Sequence, residues 1–327
     1  MTDTILATQS ISAVASDYRR LLSERLPFVR SLVKGRSLLV EELISNNGPN
    51  SHKAERWVCF AHQGTLDKLE RLFVGEGKIG DFEVIGAARN LFENLVWCLL
   101  FRADVEYGLV FNYQLLCEQI KSIESHIAKI DSEIKLFAEL ESVEDSKMST
   151  LLDRLTREEI DTTQFRALLN ETATDVDARA RVAFAIYGSQ AVYNGYGYQQ
   201  YLLIKKTKPK LELELQSLKS DRQVLEAEMS KSSKDLRNKI GGARRMNWSM
   251  AAEKIGMKDE YDFVYSFASK MLHSTALSTM PNGQLSDGEA ILMLEYSYVA
   301  ASRILDCLGK DAMSTVPDLS LITLDET

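Results

Sequence analysis

FEVIGAARNLFENLVWCLLFRA, residues Phe82 to Ala103, is the stretch whose reading decides the fold. It covers about six helical turns, with apolar residues on nearly every face. A helix that apolar packs inside other helices rather than on a surface. One row breaks the pattern. Arg89 and Glu93 stand four residues apart, neighbours on one face, with Asn90 and Asn94 beside them. Charges at the middle of a core helix need partners or a polar cleft, because an unpaired one costs several kcal/mol. The stretch therefore predicts the spine of a helical body, with the Arg89–Glu93 row facing any polar site the body contains.

The whole chain agrees with helices. It has 327 residues, enough for one large or two smaller domains, and only five prolines to interrupt it. Hydrophobic residues make up 45% and charged residues 26%, the balance of an ordinary globular protein. A net charge of −8 disfavours general polyanion binding and leaves only a local nucleic-acid contact open. The four cysteines, Cys59, Cys98, Cys117 and Cys307, form no CxxC pair. They predict neither a zinc site nor a disulfide framework, and a reducing compartment. No charged-then-apolar leader begins the chain and no run approaches 18 uninterrupted apolar residues. The expectation is a cytoplasmic protein with no membrane partner.

Upstream of the spine, amphipathic patterns run from Ser10 to Leu26 and from Phe28 to Ile44, split at Pro27, and a third runs from Lys53 to Val74. Downstream lies the clearest periodicity in the chain. Tyr113, Leu116, Ile120, Ile123, Ile127, Ile130, Ile134 and Phe137 alternate steps of three and four, an a/d seam. Leu211, Leu215, Leu218, Arg222, Leu225, Met229, Ser232 and Leu236 repeat the step much later. Paired antiparallel, the two ladders make a stalk of about 40 Å; a second copy of the chain as partner strand also fits, which keeps a homo-oligomer open. The fold class expected is all-α, a helical-bundle body with an inserted antiparallel coiled-coil arm. Residues 1–112 and 241–310 form the body, 113–240 the arm with its helical tip at 141–208, and 311–327 an acidic tail.

Two groups of residues carry possible chemistry. In the first, Tyr261, Tyr265, Ser269 and His273 recur every fourth residue on a later helix. If that ladder meets the spine row, Arg89, Glu93, Tyr265 and His273 supply a cation, a carboxylate, a hydroxyl and an acid or base, parts suited to a catalytic site acting on a phosphate. The structural alternative is that the tyrosines and serine satisfy backbone groups and His273 favours a helix C-terminus. The second group lies at the tip: Tyr193, Tyr196, Tyr198 and Tyr201 among glycines, then Lys205, Lys206 and Lys208. Tyrosines give rigid amphipathic contact area, so this is a candidate binding surface for another protein or for RNA or another single-stranded nucleic acid. The alternative is a helical hairpin whose tyrosines pack inward.

Ala88, Arg89, Leu91 and Glu93, then Trp248, then Tyr261, Tyr265, Ser266 and His273 together resemble a bacterial all-helical family built on a domain of unknown function. The resemblance covers only the body; it implies a helical bundle with the arm as an insertion, and no activity. Arg56 and His62 stand six apart and are similar to the Arg-x(4–6)-His motif of HEPN ribonucleases, helical-bundle enzymes, although Trp57 occupies a position those enzymes fill with a polar residue. The four histidines, His52, His62, His126 and His273, share no metal-ligand spacing. No Walker loop, GxSxG or dinucleotide fingerprint occurs, so no cofactor is assigned. An arm projecting from a body suits a protein that reaches another macromolecule, such as one component of a bacterial phage-defence system, by analogy of fold. The competing expectation is a metal-independent HEPN-like ribonuclease.

Overall fold

The structure is a computed structural model, and it describes residues 11–48, 52–74, 81–231, 246–272 and 287–314. Among the described residues every regular element is a helix. The chain divides into two compact units, Met1–Gln114 with Ser233–Thr327, and Leu115–Ser232. His273, the glycine-rich connector at 75–80, the end of the second ladder, the Gly241–Gly242 break, the Pro281 turn and the tail from 315 lie outside the described residues.

The first unit contains α1 (Ile11–Asn47), α2 (Lys53–Val74), α3 (Asp81–Ala103) and the start of α4 (Tyr107–Thr156). From the far end of the chain come α9 (Trp248–Lys254), α10 (Lys258–Glu260), α11 (Ser266–Leu272) and α12 (Asp287–Ser314). A π stretch, Tyr261–Tyr265, joins α10 to α11. α3 packs against α2, α9, α11, α12 and the π stretch, and Ala88, Phe92, Leu95 and Val96 on it are fully buried. Val84–Ala103 is the one segment among the described residues long and apolar enough to cross a membrane, and its apolar faces are occupied by these neighbours. Gly108 at the start of α4 is required by close approach, since a Cβ there would stand 2.1 Å from the Ala54 carbonyl oxygen.

Pro27 does not split the first two patterns; α1 runs through it as a single helix of 37 residues. A proline in a helix interior costs about 3 kcal/mol. Here α1 packs along both α2 and α12: Arg25 pairs with Asp306 before the proline, and Val29 and Val33 are buried after it. The segment from Asp311 to Ser314, expected as tail, is the last turn of α12.

The second unit holds the rest of α4, α5 (Thr162–Val182), α6 (Gly188–Asn194), α7 (Tyr196–Leu202) and α8 (Lys208–Lys231), with a π stretch at Leu203–Thr207. α4 continues as one helix to Thr156, and the turn at 157–160 leads into α5. α5 starts on a full capping box, Asp161 accepting from the Thr163 and Gln164 amides at 2.8 Å while Gln164 reaches back to the Asp161 amide. Gly195, at φ +86°, makes the break between α6 and α7, a backbone conformation that side chains disfavour.

Ion pairs Lys219–Glu124 at 2.7 Å and Lys208–Asp131 at 2.6 Å join α8 to α4 in antiparallel order. Along the first ladder Leu116, Ile120, Ile130 and Phe137 are buried, while Ile123, Ile127 and Ile134 are half-buried. Burial is deepest where α5, α6 and α7 add a further layer. There Ile130, Phe137 and Leu140 pack with Val176, Ala180, Ala191, Tyr196 and Leu203.

Candidate functional site

Three of the four residues expected to form a polar site in the first unit meet. Arg89 Nε donates to Glu93 Oε1 at 3.2 Å within α3. The guanidinium lies over the Tyr265 ring, 5.3 Å from its centre, a cation–π contact worth about 0.5–2 kcal/mol. Tyr265 stacks on Tyr261 at 5.2 Å and touches Phe92 at 5.1 Å and Trp248 at 6.1 Å. The two tyrosines are the first and last residues of the π stretch, and their four-residue spacing sets them on one face of the helix. Burial pushes the Tyr265 hydroxyl above its ordinary pKa, Glu93 adds to the shift, and Arg89 and Ser269 oppose it. The hydroxyl is thus a neutral donor at physiological pH. Arg89 and Glu93 are each about a quarter exposed, so the site opens to solvent on its charged side.

Arg56 and His62 do not come together. Arg56 is exposed and pairs with Glu41 at 2.9 Å. His62 is fully buried, edge-on to Phe101. Six residues of helix put the two side chains well apart around α2. Burial, and behind it the Arg36 charge, lowers the His62 pKa to about 3, so the ring is neutral and cannot act as an imidazolium acid at neutral pH.

At the tip, Tyr193 is 91% exposed, and Tyr198 and Tyr201 stack on each other at 6.3 Å while more than half exposed. Lys205 and Lys206 are also exposed. Two expected contact residues turn inward instead. Tyr196 is 4% exposed, packs on Phe137 and donates to Asp177 at 2.8 Å; its ring faces the α4 core because Gly195 resets the helix direction just before it. Lys208 is committed to Asp131, which together with Glu212 raises its pKa.

Sequence reasoning missed the group that holds this unit's 183–187 turn. Glu133, 1% exposed, accepts from the Ile186 amide at 2.6 Å and the Tyr187 amide at 2.9 Å. Lys129 donates to the Phe184 carbonyl and lies over the Phe184 ring. His126 Nε2 lies 3.1 Å from the Tyr187 hydroxyl, the rings stacked. Steps of three and four put His126, Lys129 and Glu133 on one stripe of α4, but a polar stripe beside an apolar seam reads as a solvated face, and nothing local distinguishes it. Arg36 was also missed. It is 8% exposed, and its Nε and Nη1, like both ring nitrogens of His62, have no hydrogen-bond partner among the described residues. A signal existed here, because Val29, Val33, Arg36 and Val40 follow the three-and-four step of a buried stripe.

Among the described residues no three His, Cys, Asp or Glu side chains gather as a metal site. No family model, no curated protein and no solved structure matches this chain.

Proposed function

We propose that this chain is an interaction protein whose second unit serves as an antiparallel coiled-coil arm and docks an acidic protein on the face of α7 and the following π stretch. The observation behind it is the exposed Tyr198–Tyr201 stack followed by the exposed Lys205 and Lys206. That face is held from behind by the Tyr196–Asp177 bond and by Gln200 donating to Glu141 at 2.9 Å. Aromatic anchors fixed in place lose little conformational freedom on binding, and flanking lysines select an acidic partner. Protein is favoured over nucleic acid because Lys208 is already neutralised by Asp131 and the chain carries a net −8, whereas nucleic-acid affinity grows with the number of phosphates neutralised. The setting belongs to the same proposal: a multi-protein bacterial system of the phage-defence kind, in the cytoplasm, where free thiols stay reduced.

The test compares what the native host's extract leaves on wild-type protein and on a Tyr198→Ala, Tyr201→Ala, Lys205→Glu, Lys206→Glu variant, by mass spectrometry of protein and nucleic acid. An acidic protein held by the wild type and lost from the variant supports the proposal. Identical capture by both sinks it, and RNA in place of protein transfers the surface to nucleic acid.

A second reading has its own observation, the Arg89–Glu93–Tyr265 cluster, which supplies charge and a neutral hydroxyl at a solvent-open site. It corresponds to a metal-independent ribonuclease of the HEPN-like kind. RNA cleavage in EDTA, lost in Arg89→Ala and His273→Ala, supports it; intact RNA removes it.

A further inference from the structure

The first unit holds a groove of about 380 Å³ between α1 and α12, in the size range of built ligand sites. Val29, Leu305 and Gly309 are buried and make its floor, while Phe28, Leu32 and Met313 stand higher and make its walls. Phe28 is 63% exposed and Met313 45%. Gly309 is what leaves the floor open, since a Cβ there would meet nothing within 4 Å. Arg25 pairs with Asp306 at the groove, and Arg36, farther along α1, draws down the carboxyl of Asp311, farther along α12. Two contacts in the same order make the helices parallel. The groove therefore runs from Glu24 and Leu305 to Leu32 and Met313, about 12 Å. It ends where α12 ends, at Ser314.

From this geometry we infer that the groove is the docking site of this chain's own C-terminal segment, residues 315–327, with the apolar side chains of 319–324 seated on its floor. Position comes first. Met313 is a wall of the groove and the segment begins two residues later, so a tether that short holds it there at an effective concentration on the order of millimolar. Reach is sufficient. Residues 319–324 lie within ten residues of Ser314, up to about 35 Å of chain, and Pro317 followed by Asp318 is a turn pairing that can reverse its direction. Composition also fits. Val316, Leu319, Leu321, Ile322 and Leu324 match an apolar floor, and Asp318, Asp325 and Glu326 come with no Lys or Arg among them. At the groove, Arg25 is paired with Asp306 and Glu24 with Arg20, whereas Lys310 is exposed and makes no ion pair among the described residues. A cation left over beside the end from which the segment starts selects an acidic occupant. The N-terminal residues 1–10 fit less well: they enter α1 about 20 Å of helix away from Glu24, and Asp3 is their one acid. This groove belongs to the first unit, and the inference does not rest on the α7 face proposed for the acidic partner.

The experiment uses the full chain, with a photo-crosslinking side chain at position 28 and, separately, a fluorescent synthetic peptide of residues 315–327. The crosslink is expected at monomer mass, to residues 316–324 of the same chain. The peptide is expected to bind the Leu319→Asp, Ile322→Asp double variant, whose own segment no longer seats, at least about tenfold more tightly than wild type, where the groove is taken. Both substitutions lie outside the described helices, so the helical circular-dichroism signal should not change. Gly309→Leu fills the floor while favouring the helix over glycine, and combined with the double variant it is expected to abolish peptide binding. Crosslinks at dimer mass assign the groove to a second copy, and crosslinks to residues 1–10 assign it to the N-terminal segment; either overturns the inference. So does the absence of any crosslink, a peptide bound alike by wild type and double variant or by neither, or binding undiminished by Gly309→Leu.

Discussion

The two units differ in how they treat the polar groups they bury. In the first, Arg36 Nε and Nη1 and both ring nitrogens of His62 lie in the core with no hydrogen-bond partner among the described residues. In the second, Glu133 is just as buried but both its oxygens accept from backbone amides, on a turn that leaves Val182 and Phe184 in water. An unpaired buried charge costs several kcal/mol, and an exposed apolar side chain forgoes about 1.5–3 kcal/mol. The difference lies in what each exception can do. A buried group without a hydrogen-bond partner acts on stability and its pH dependence, while a buried group with partners fixes the backbone it grips. The lesson is that the cost of burying a polar group is set by what arrives to meet it.

The largest effect that could break this comparison is a pH dependence seated in the first unit. The folded-state pKa of His62, about 3, lies below its ordinary 6.5. The unfolded chain therefore takes up a proton that the folded chain refuses. The stability held above pH 6.5 is lost as pH falls toward 3, by about 4–5 kcal/mol in all. Urea unfolding across that window should show the slope, and His62→Phe should flatten it. A slope unchanged in the variant would remove His62 from the account.

Next in size is Glu133→Ala, which strips two amides of their buried acceptor. We expect a loss of about 3 kcal/mol, with hydrogen exchange at residues 186 and 187 rising before that of the α4 core. Slow exchange retained at both amides would mean the turn is held by something else. A loss is also expected for Arg36→Met: the Arg36 charge draws the Asp311 carboxyl down against the burial that raises it, so its removal leaves that carboxylate uncompensated and should cost about 1–3 kcal/mol. A melting temperature unchanged or raised would show that the Asp311 carboxylate does not rely on Arg36. The smallest effect belongs to Tyr265→Phe. Removing one hydroxyl beside Arg89 and Ser269 should cost about 1 kcal/mol while leaving the ring contacts to Tyr261 and Phe92 in place. A much larger loss would mark the hydroxyl as the hub of a wider buried network.

Parts of this were legible in the residues. The Arg89–Glu93 pair follows from a four-residue spacing on one helix, so its 3.2 Å contact needed no tertiary information. That Tyr265 would lie under the guanidinium required α11 and its π stretch to pack on α3, which no spacing encodes. Tyr193 and Tyr196 are three residues apart in one tyrosine-rich run, yet one is almost fully exposed and the other buried against Phe137. The grip on the 183–187 turn joins residues more than fifty positions apart, and its glutamate looks like any surface glutamate until the turn arrives.

Helix itself was determined by the chain alone. Its hydrogen bonds close within four residues, and few prolines and steady three-and-four periodicities leave little else for the backbone to do. That one helix runs through Pro27, which apolar side chains stay in water, and which charges are sealed in the core depend on distant partners. Those outcomes were decided only by tertiary packing, because burial is a property of what arrives from elsewhere in the chain.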